Sequence, residues 1–340
     1  MAEVVIVSDK EVESVVDLDR AIGLVEDAFR GLLTGQSRAF PVVREAVPQH
    51  AGTFGIKSGH IDHLDALGLK AGGFWLNNGE RGLTNHQSAI LMFDPATGMP
   101  NGLVAANYLT MVRTAALGAI GCKYLARPDS RRLCLIGAGV QGRAQLQAAR
   151  HVLPQVDDIR IYDPVPGKAA SLAAEITAAS AASVAAGTGG GGKVAAKGYD
   201  DAESAVRGAD VVITATPSTK AIAMSDWVGE GTHVNAMGAD TKGKQEHDPA
   251  LVARVKLVVD NLAQCLELGE SQHAYRLGLL RPESVHAEIA QVISGQKPGR
   301  QSPHETTLFD STGVAIQDLA VASYAVGAIR ASGRARTVTL

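Results

Sequence analysis

Cysteine is scarce in this 340-residue chain. Only Cys122, Cys134 and Cys265 occur, odd in number and far apart, which disfavours a secreted disulfide scaffold. No block of one charge occurs either: 32 Lys+Arg against 35 Asp+Glu leave a net −3. Without a basic stripe, neither a nucleic-acid surface nor an anionic-membrane surface is expected. The most apolar tract, 103–126, is interrupted by Arg113 and Lys123 and falls short of the roughly 20 residues of a membrane span. The opening MAEVVIVSDKEVE lacks a basic region followed by a long apolar one, so no signal peptide is expected. GxSxG, HExxH and a phosphate loop are all missing, and no internal repeat is evident. What is present is 46% hydrophobic residues, 37 Gly and enough length for two domains, the profile of a cytoplasmic globular protein.

The two halves of the sequence are patterned differently. Residues 4–7 read as a strand. Residues 17–33 read as a helix with Ile22, Val25, Phe29 and Leu32 on one face, ending near Gly35. Short β-rich runs follow: FPVVREAV, TFGIKSGHI, LGLKAGGFW and SAILMF, the last joined to GLVAA through the turn-rich DPATGMPN. A helix is expected over 109–124. One helix and then several strands suggest an α+β unit. From residue 133 onward, apolar strands alternate with helices (133–136, 159–162, 210–216, 233–238 and 256–260), which implies a parallel sheet with crossovers. Residues 178–197 are low in complexity and read as an exposed, mobile connection. A last long helix is expected from Gly313 to about Arg330, with Ile316, Leu319, Ala320 and Ser323 on one side.

The strand at 133–136 runs straight into Gly137-Ala-Gly139-Val-Gln-Gly142 and a helix. A structural turn with a helix cap could use the same glycines. The next strand, however, ends in Asp163, about twenty residues downstream, and this combination points to a dinucleotide. Gly137 permits the tight turn, Gly139 the approach of a pyrophosphate, and Gly142 close helix packing. Asp163 would accept hydrogen bonds from ribose hydroxyls and repel a 2′-phosphate, so NAD(H) is expected rather than NADP(H). Thr214 and Thr216 put small residues at a strand's carboxyl end, where such sheets present their ligands.

Three cations interrupt apolar or small-residue runs: Arg44 in FPVVREAV, Lys70 in LGLKAGG and Arg113 in LTMVRTAALGA; Asp240 follows HVNAMGA. Singly, each reads as a snorkelling or solvent-facing side chain. Together they suggest a pocket for a small anionic substrate, with Asp240 placed to exchange a proton with a substrate nitrogen. His60-Ile-Asp-His63 looks like a metal pair but lacks a third ligand at convincing spacing, so no metal is expected.

LGLKAGG, LTMVRTAALGAIGCKYLA with LCLIGAGVQGRAQ, NAMGADTKGKQE and TLFDSTGVAIQDLA span nearly the whole chain. In that order they resemble the ornithine cyclodeaminase/μ-crystallin family. The resemblance implies a Rossmann-type doubly wound parallel sheet over 113–312. It also implies a second α+β domain for substrate binding and dimerisation, built from 1–112 and a returning helix in 313–340, and a homodimer. It puts Arg44, Lys70 and Thr312 on the substrate, with Lys70 and Asp240 as the catalytic pair. It puts Thr84, Arg113, Val140, Gln141, Asp163, Thr214, Met237, Lys244 and Ser311 on the cofactor beside the three glycines. Family activities include ornithine cyclodeaminase, alanine dehydrogenase, ketimine reductase and a non-enzymatic NAD(P)H-dependent binding role. FPVVREAV, LGLKAGGFWLNN, LTNHQS and MGADTKGKQEHDPALVAR resemble the bacterial iminosuccinate reductase branch, which implies NADH-dependent formation of L-aspartate in the β-hydroxyaspartate route of glyoxylate assimilation. A cyclodeaminase would want an acid near the substrate's distal amine, and 52–60 and 84–88 contain none. Lys57, Ser58, His60, His86 and Gln87 are instead candidates to hold a second substrate carboxylate.

Overall fold

The structure, a computed structural model, describes residues 3–185 and 194–340. The chain divides into two compact units, Met1–Ala116 with Gly313–Leu340, and Leu117–Thr312. The sequence reading divides it after residue 112; the observed division falls after Ala116, within the continuous helix Asn107–Leu125.

The first unit is built on an eight-stranded sheet. In spatial order its strands are Arg336–Thr339, Glu3–Val7, Pro100–Ala105, His86–Phe93, Ala66–Trp75, Gly52–Ile61 and Ser37–Ala39, and Val43–Val47 also pairs with Gly52–Ile61. Pairing is antiparallel except between Glu3–Val7 and Pro100–Ala105. The period-2 alternation of strands sorts their side chains between faces. Lys57, Gly59 and Ile61 are buried on the face that carries helix Ala315–Ala331, whereas Ile56, Ser58 and His60 lie half-buried on the other. A Cβ at Gly68 would come within 3.0 Å of Leu319 Cδ2, so glycine lets that helix lie close. Helix Leu18–Thr34 starts at Asp17, whose side chain accepts from the Arg20 amide at 2.8 Å, and stops at Gly35 with φ 75°. It packs on the Ala315–Ala331 helix, where Arg20 sits 5.1 Å from the Tyr324 ring centre. That contact rotates its buried seam onto Ala21, Val25, Ala28 and Phe29, leaving Ile22 and Leu32 half-buried.

Two elements here escape the sequence reading. Helix Asp9–Val15 is announced by a capping box: the Ser8 hydroxyl accepts from the Glu11 amide, and Glu11 accepts from the Ser8 amide at 2.7 Å. Strand Arg336–Thr339 is four residues long and exposed throughout, too short and polar for its pattern to stand out.

The second unit is a wholly parallel eight-stranded sheet. Its order is Ala195–Gly198, Asp158–Tyr162, Arg132–Ile136, Val211–Thr214, His233–Ala236, Thr307–Asp310, Lys256–Val259 and Ala287–Glu288. Chain progression reverses between Arg132–Ile136 and Val211–Thr214, which makes this a Rossmann-type doubly wound fold with its switch point there. Both faces are covered, so the strands read as apolar runs. Leu133, Leu135, Ile159, Ile161, Val211 and Ile213 enter one core. Cys134, Ile136, Val212, Val234, Leu257, Val259 and Leu308 enter the other. All three cysteines are buried, and burial pushes the Cys122 and Cys134 thiols up to about 12, so they serve as small hydrophobes.

The low-complexity stretch is more ordered than its composition suggests. Its first part ends helix Lys168–Ala185, and Ala195–Gly198 is the sheet's edge strand; 186–193 lie outside the described residues. Alanine's high helix propensity explains the first part, and pairing with Asp158–Tyr162 explains the second.

Candidate active site

In the second unit, strand Arg132–Ile136 delivers the chain to Gly137 at φ 102°, where a Cβ would lie 2.6 Å from the Ala215 carbonyl oxygen. A Cβ on Gly142 would come within 1.8 Å of the Gly137 carbonyl oxygen, so helix Val140–Val152 packs against its own loop only with glycine there. Gly139 differs, because a Cβ on it meets nothing within 4 Å. No side chain caps the helix, so its first amides are turned to an open space that suits an anion. Val140, 57% exposed, stands at that mouth with the half-buried Gln141 behind it. Asp163 accepts from the Ala138 amide at 2.8 Å and from the Val165 amide at 2.9 Å, which fixes its carboxylate against the glycine loop. An open glycine cradle, an uncapped helix start and an adjoining acid fit the pyrophosphate and ribose of a dinucleotide.

Along the carboxyl edge of the same sheet, Thr214 behaves differently from expectation. It is fully buried, with its hydroxyl donating to Glu246 Oε2 at 2.7 Å and lying 3.0 Å from His247 Nε2. Strand alternation turns it inward, so its side chain braces the sheet edge. Met237, 9% exposed, is part of the apolar core. Asp240 is half-buried, with Lys244 Nζ 2.7 Å from its Oδ1, and the Thr241 hydroxyl donates to the same oxygen at 3.1 Å. Ser311 and Thr312 are buried and donate to the two oxygens of Asp260, at 3.3 and 2.8 Å.

In the first unit, Lys57, Lys70 and Arg113 are all buried, and all lie close to Asp318. Lys70 Nζ is 2.8 Å and Arg113 Nε 2.9 Å from Asp318 Oδ1. Lys70 also donates to the Thr110 hydroxyl at 3.3 Å, Arg113 to Gln317 Oε1 at 2.8 Å, and Lys57 to the Gly313 carbonyl at 2.8 Å. Burial, reinforced by Arg113 and Arg44, brings the Lys70 ammonium down to about 8 despite Asp318. Burial would raise the Asp318 carboxyl, but Arg113, Lys70 and Lys57 hold it below the usual carboxylate range. Arg44 is half-buried and lies across Gly55, where a Cβ would be 3.0 Å from its Nη1.

Arg44, Lys70 and Arg113 are thus brought together, as their common oddity in the sequence suggested, with Arg113 paired to Asp318. The acid these cations share is Asp318, which the sequence reading passes over; Asp240 belongs to the second unit. The signal for Asp318 was available, since it is a charge inside the apolar run VAIQDLAVA. Thr84 is exposed, its hydroxyl donating to the His86 carbonyl at 2.9 Å and accepting from Gln87 Nε2 at 2.9 Å. Of the candidates for a second carboxylate, only Lys57 is buried on the face with Lys70; Ser58 and His60 point to the opposite face. His60 and His63 turn to different acids, Asp62 at 3.0 Å and Asp27 at 2.7 Å, which is a reason not to read them as a metal pair.

A doubly wound sheet with this glycine loop at its switch point, together with a buried cation cluster, defines a dinucleotide-dependent protein for small anions. The sequence matches the ornithine cyclodeaminase/mu-crystallin family over residues 2–332, and the chain belongs to that family. It is 38% identical over 340 residues to the iminosuccinate reductase of Paracoccus denitrificans (strain Pd 1222), covering 98% of this chain and 99% of that protein. The crystal structure of that reductase with NAD+ superposes with a TM-score of 0.86 over 99% of this chain and 100% of that one, at 38% identity. Identity to the alanine dehydrogenase of Archaeoglobus fulgidus is also 38%, over 324 residues, 94% of this chain and 93% of that protein. An archaeal alanine dehydrogenase dimer with bound NAD gives a TM-score of 0.89 at 35% identity, covering 99% of each chain.

Proposed function

We propose that this chain is an NADH-dependent oxidoreductase that reduces an α-imino acid, iminosuccinate, to L-aspartate. The observation that carries this reading is the gathering of Lys57, Lys70 and Arg113 around the Asp318 carboxylate, with Arg44 close enough to Lys70 to act on its charge. Several cations gathered in one place favour a small anionic ligand, and a second carboxylate on it gives them a further partner. Similarity to the Paracoccus iminosuccinate reductase supports the same choice. Gly137, Gly139 and Gly142 hold the pyrophosphate, and Asp163 holds the adenosine ribose. Bound there, NADH supplies a hydride to the imine carbon. Arg44 and Lys70 grip the α-carboxylate and so orient the C=N bond. Lys57 faces the second carboxylate. Asp240 holds the iminium proton by accepting its hydrogen bond, with Lys244 as its ion-pair partner. Ser311 is assigned to the cofactor and Thr312 to the substrate.

Equal identity to the Archaeoglobus alanine dehydrogenase favours a second reading, in which the imine carries one carboxylate. The protein works in the cytoplasm as a homodimer joined through the open face of the first unit's sheet. That face carries Val43 at 46% and Leu103 at 40% exposure, beside half-buried Leu67, Leu69, Leu91 and Phe93. The test is NADH oxidation with oxaloacetate and ammonium, read alongside pyruvate and ammonium and alongside ornithine with NAD+. Aspartate formed with a clear preference for oxaloacetate supports the proposal. Alanine as the better product, or proline from ornithine, replaces it.

A further inference from the structure

The loop that carries Asp240 is held by Glu246, a residue with no role assigned above. Gly238, two residues before Asp240, has both sides of its peptide unit occupied. Its amide donates to Glu246 Oε2 at 2.8 Å, and its carbonyl accepts from Lys244 Nζ at 3.1 Å. The same Lys244 ammonium reaches Asp240 Oδ1 at 2.7 Å. Glu246 is fully buried, and its other contacts come from the neighbouring strand end: the Thr214 hydroxyl at 2.7 Å and the Thr216 amide at 2.6 Å. One carboxylate therefore ties the carboxyl ends of Val211–Thr214 and His233–Ala236 together. A Cβ at residue 238 would lie 2.5 Å from Glu246 Cδ, so glycine is what lets the carboxylate approach.

Glu246 is itself fixed from behind. Glu270 accepts the amides of Glu246 at 3.0 Å and His247 at 2.7 Å, and Asp310 accepts those of Glu270 at 3.0 Å and Ser271 at 2.8 Å. Three buried carboxylates in series, each gripping the backbone that bears the next, run from Asp310 to Gly238. Burial pushes all three carboxyls up, a cost that simple packing would avoid with apolar residues.

We infer that Glu246 is a positioning residue for the reaction: with Lys244 it clamps the Gly238 peptide and thereby sets where the Asp240 carboxylate stands. The inference rests on the assignment of Asp240 as the group that handles the iminium proton. The experiment is a double-mutant cycle in the full-length NADH complex, with Glu246→Gln, Asp240→Asn and the double variant, read by single-turnover NADH oxidation with oxaloacetate and ammonium. Glu246→Gln is expected to slow hydride transfer about 30-fold, the effect of losing one hydrogen bond to a charged group, while NADH affinity changes less than threefold. In the Asp240→Asn background the same change should cost less than threefold. Losses that multiply, or NADH affinity falling as far as the rate, overturn the inference and leave the Asp240 assignment standing. Normal turnover by Asp240→Asn removes that assignment and the inference with it. Gly238→Ala, which displaces the same carboxylate without changing a charge, should reproduce the slow step and covers the case of a misfolded Glu246→Gln. Amide hydrogen exchange over 237–246 needs no turnover. At least tenfold faster exchange in Glu246→Gln is expected, and unchanged exchange overturns the clamp.

Discussion

Lys57 and Lys70 stand directly opposite one another on adjacent antiparallel strands, both buried on the same face. Like charges so placed repel. Lys57 donates to the Gly313 carbonyl, and Lys70 shares Asp318 with Arg113. On the function proposed above, this cluster is retained for its ligand, because apolar residues of similar size in its place would make the fold at least as stable.

Replacing Lys57 by Met keeps most of the side-chain volume and removes the charge. The ratio of kcat/KM for oxaloacetate plus ammonium to that for pyruvate plus ammonium should fall about 100-fold, the scale of one charged hydrogen bond. Lys57→Arg should keep the ratio within a fewfold. A ratio unmoved by Lys57→Met would mean that Lys57 merely supports Gly313.

Lys70 gives the site a pH limit. Its ammonium titrates at about 8, because burial disfavours the charged form and Arg113 adds to that effect. The group is cationic below that value and neutral above it, so anion binding should be full below about pH 8 and weaken as pH rises through it. Succinate, an inert dicarboxylate, is the clean probe: its dissociation constant for the NADH complex should rise up to about tenfold per pH unit above the break. Lys70→Arg, always charged, should carry tight binding to higher pH. Unchanged binding of succinate by the parent chain between pH 7.5 and 10 would remove Lys70 from the anion site.

Asp318 holds the cluster together. Its carboxyl lies below the usual range because of Arg113 and Lys70, so its contribution to stability is present at neutral pH and is lost as pH falls through its folded-state value. Asp318→Asn leaves two buried cations without their counter-charge and should cost about 3–5 kcal/mol. Urea denaturation at pH 7 checks this, and a loss below about 1 kcal/mol would show that water or a bound anion already satisfies those cations.

Much of this arrangement is legible in the sequence because local chemistry and tertiary role coincide. The glycine loop is such a case: Gly137 and Gly142 are dictated by backbone conformation and close approach, which no other residue tolerates. Arg44, Lys70 and Arg113 stand out because cations interrupt apolar runs, and the fold gathers them. Asp318 carries the same mark but sits 205 residues from Arg113 in the sequence (113 to 318), where no spacing rule connects them. The side chain of Thr214 is harder to read. A strand-end threonine can face outward to a ligand or inward to Glu246, and only the pleat decides. The three carboxylates Glu246, Glu270 and Asp310 were invisible for a related reason, since most of their partners are backbone amides, which a sequence does not display.

Asp163 makes the last test of the nucleotide half. Its carboxylate accepts from the Ala138 amide at 2.8 Å, so it shapes the glycine loop beside the ribose-binding role proposed for it. Those two roles can be separated. Asp163→Ala removes both and should raise the KM for NADH while relaxing discrimination against NADPH. Asp163→Asn keeps an acceptor for Ala138 but removes the negative charge that repels a 2′-phosphate. It should therefore raise the NADPH-to-NADH ratio of kcat/KM about 10- to 100-fold with a smaller penalty on NADH, since a charge pair a few ångströms apart near a protein surface is worth about 1–4 kcal/mol. If Asp163→Asn leaves the cofactor preference where it was while Asp163→Ala raises the KM, the carboxylate serves the loop alone and another residue reads the ribose.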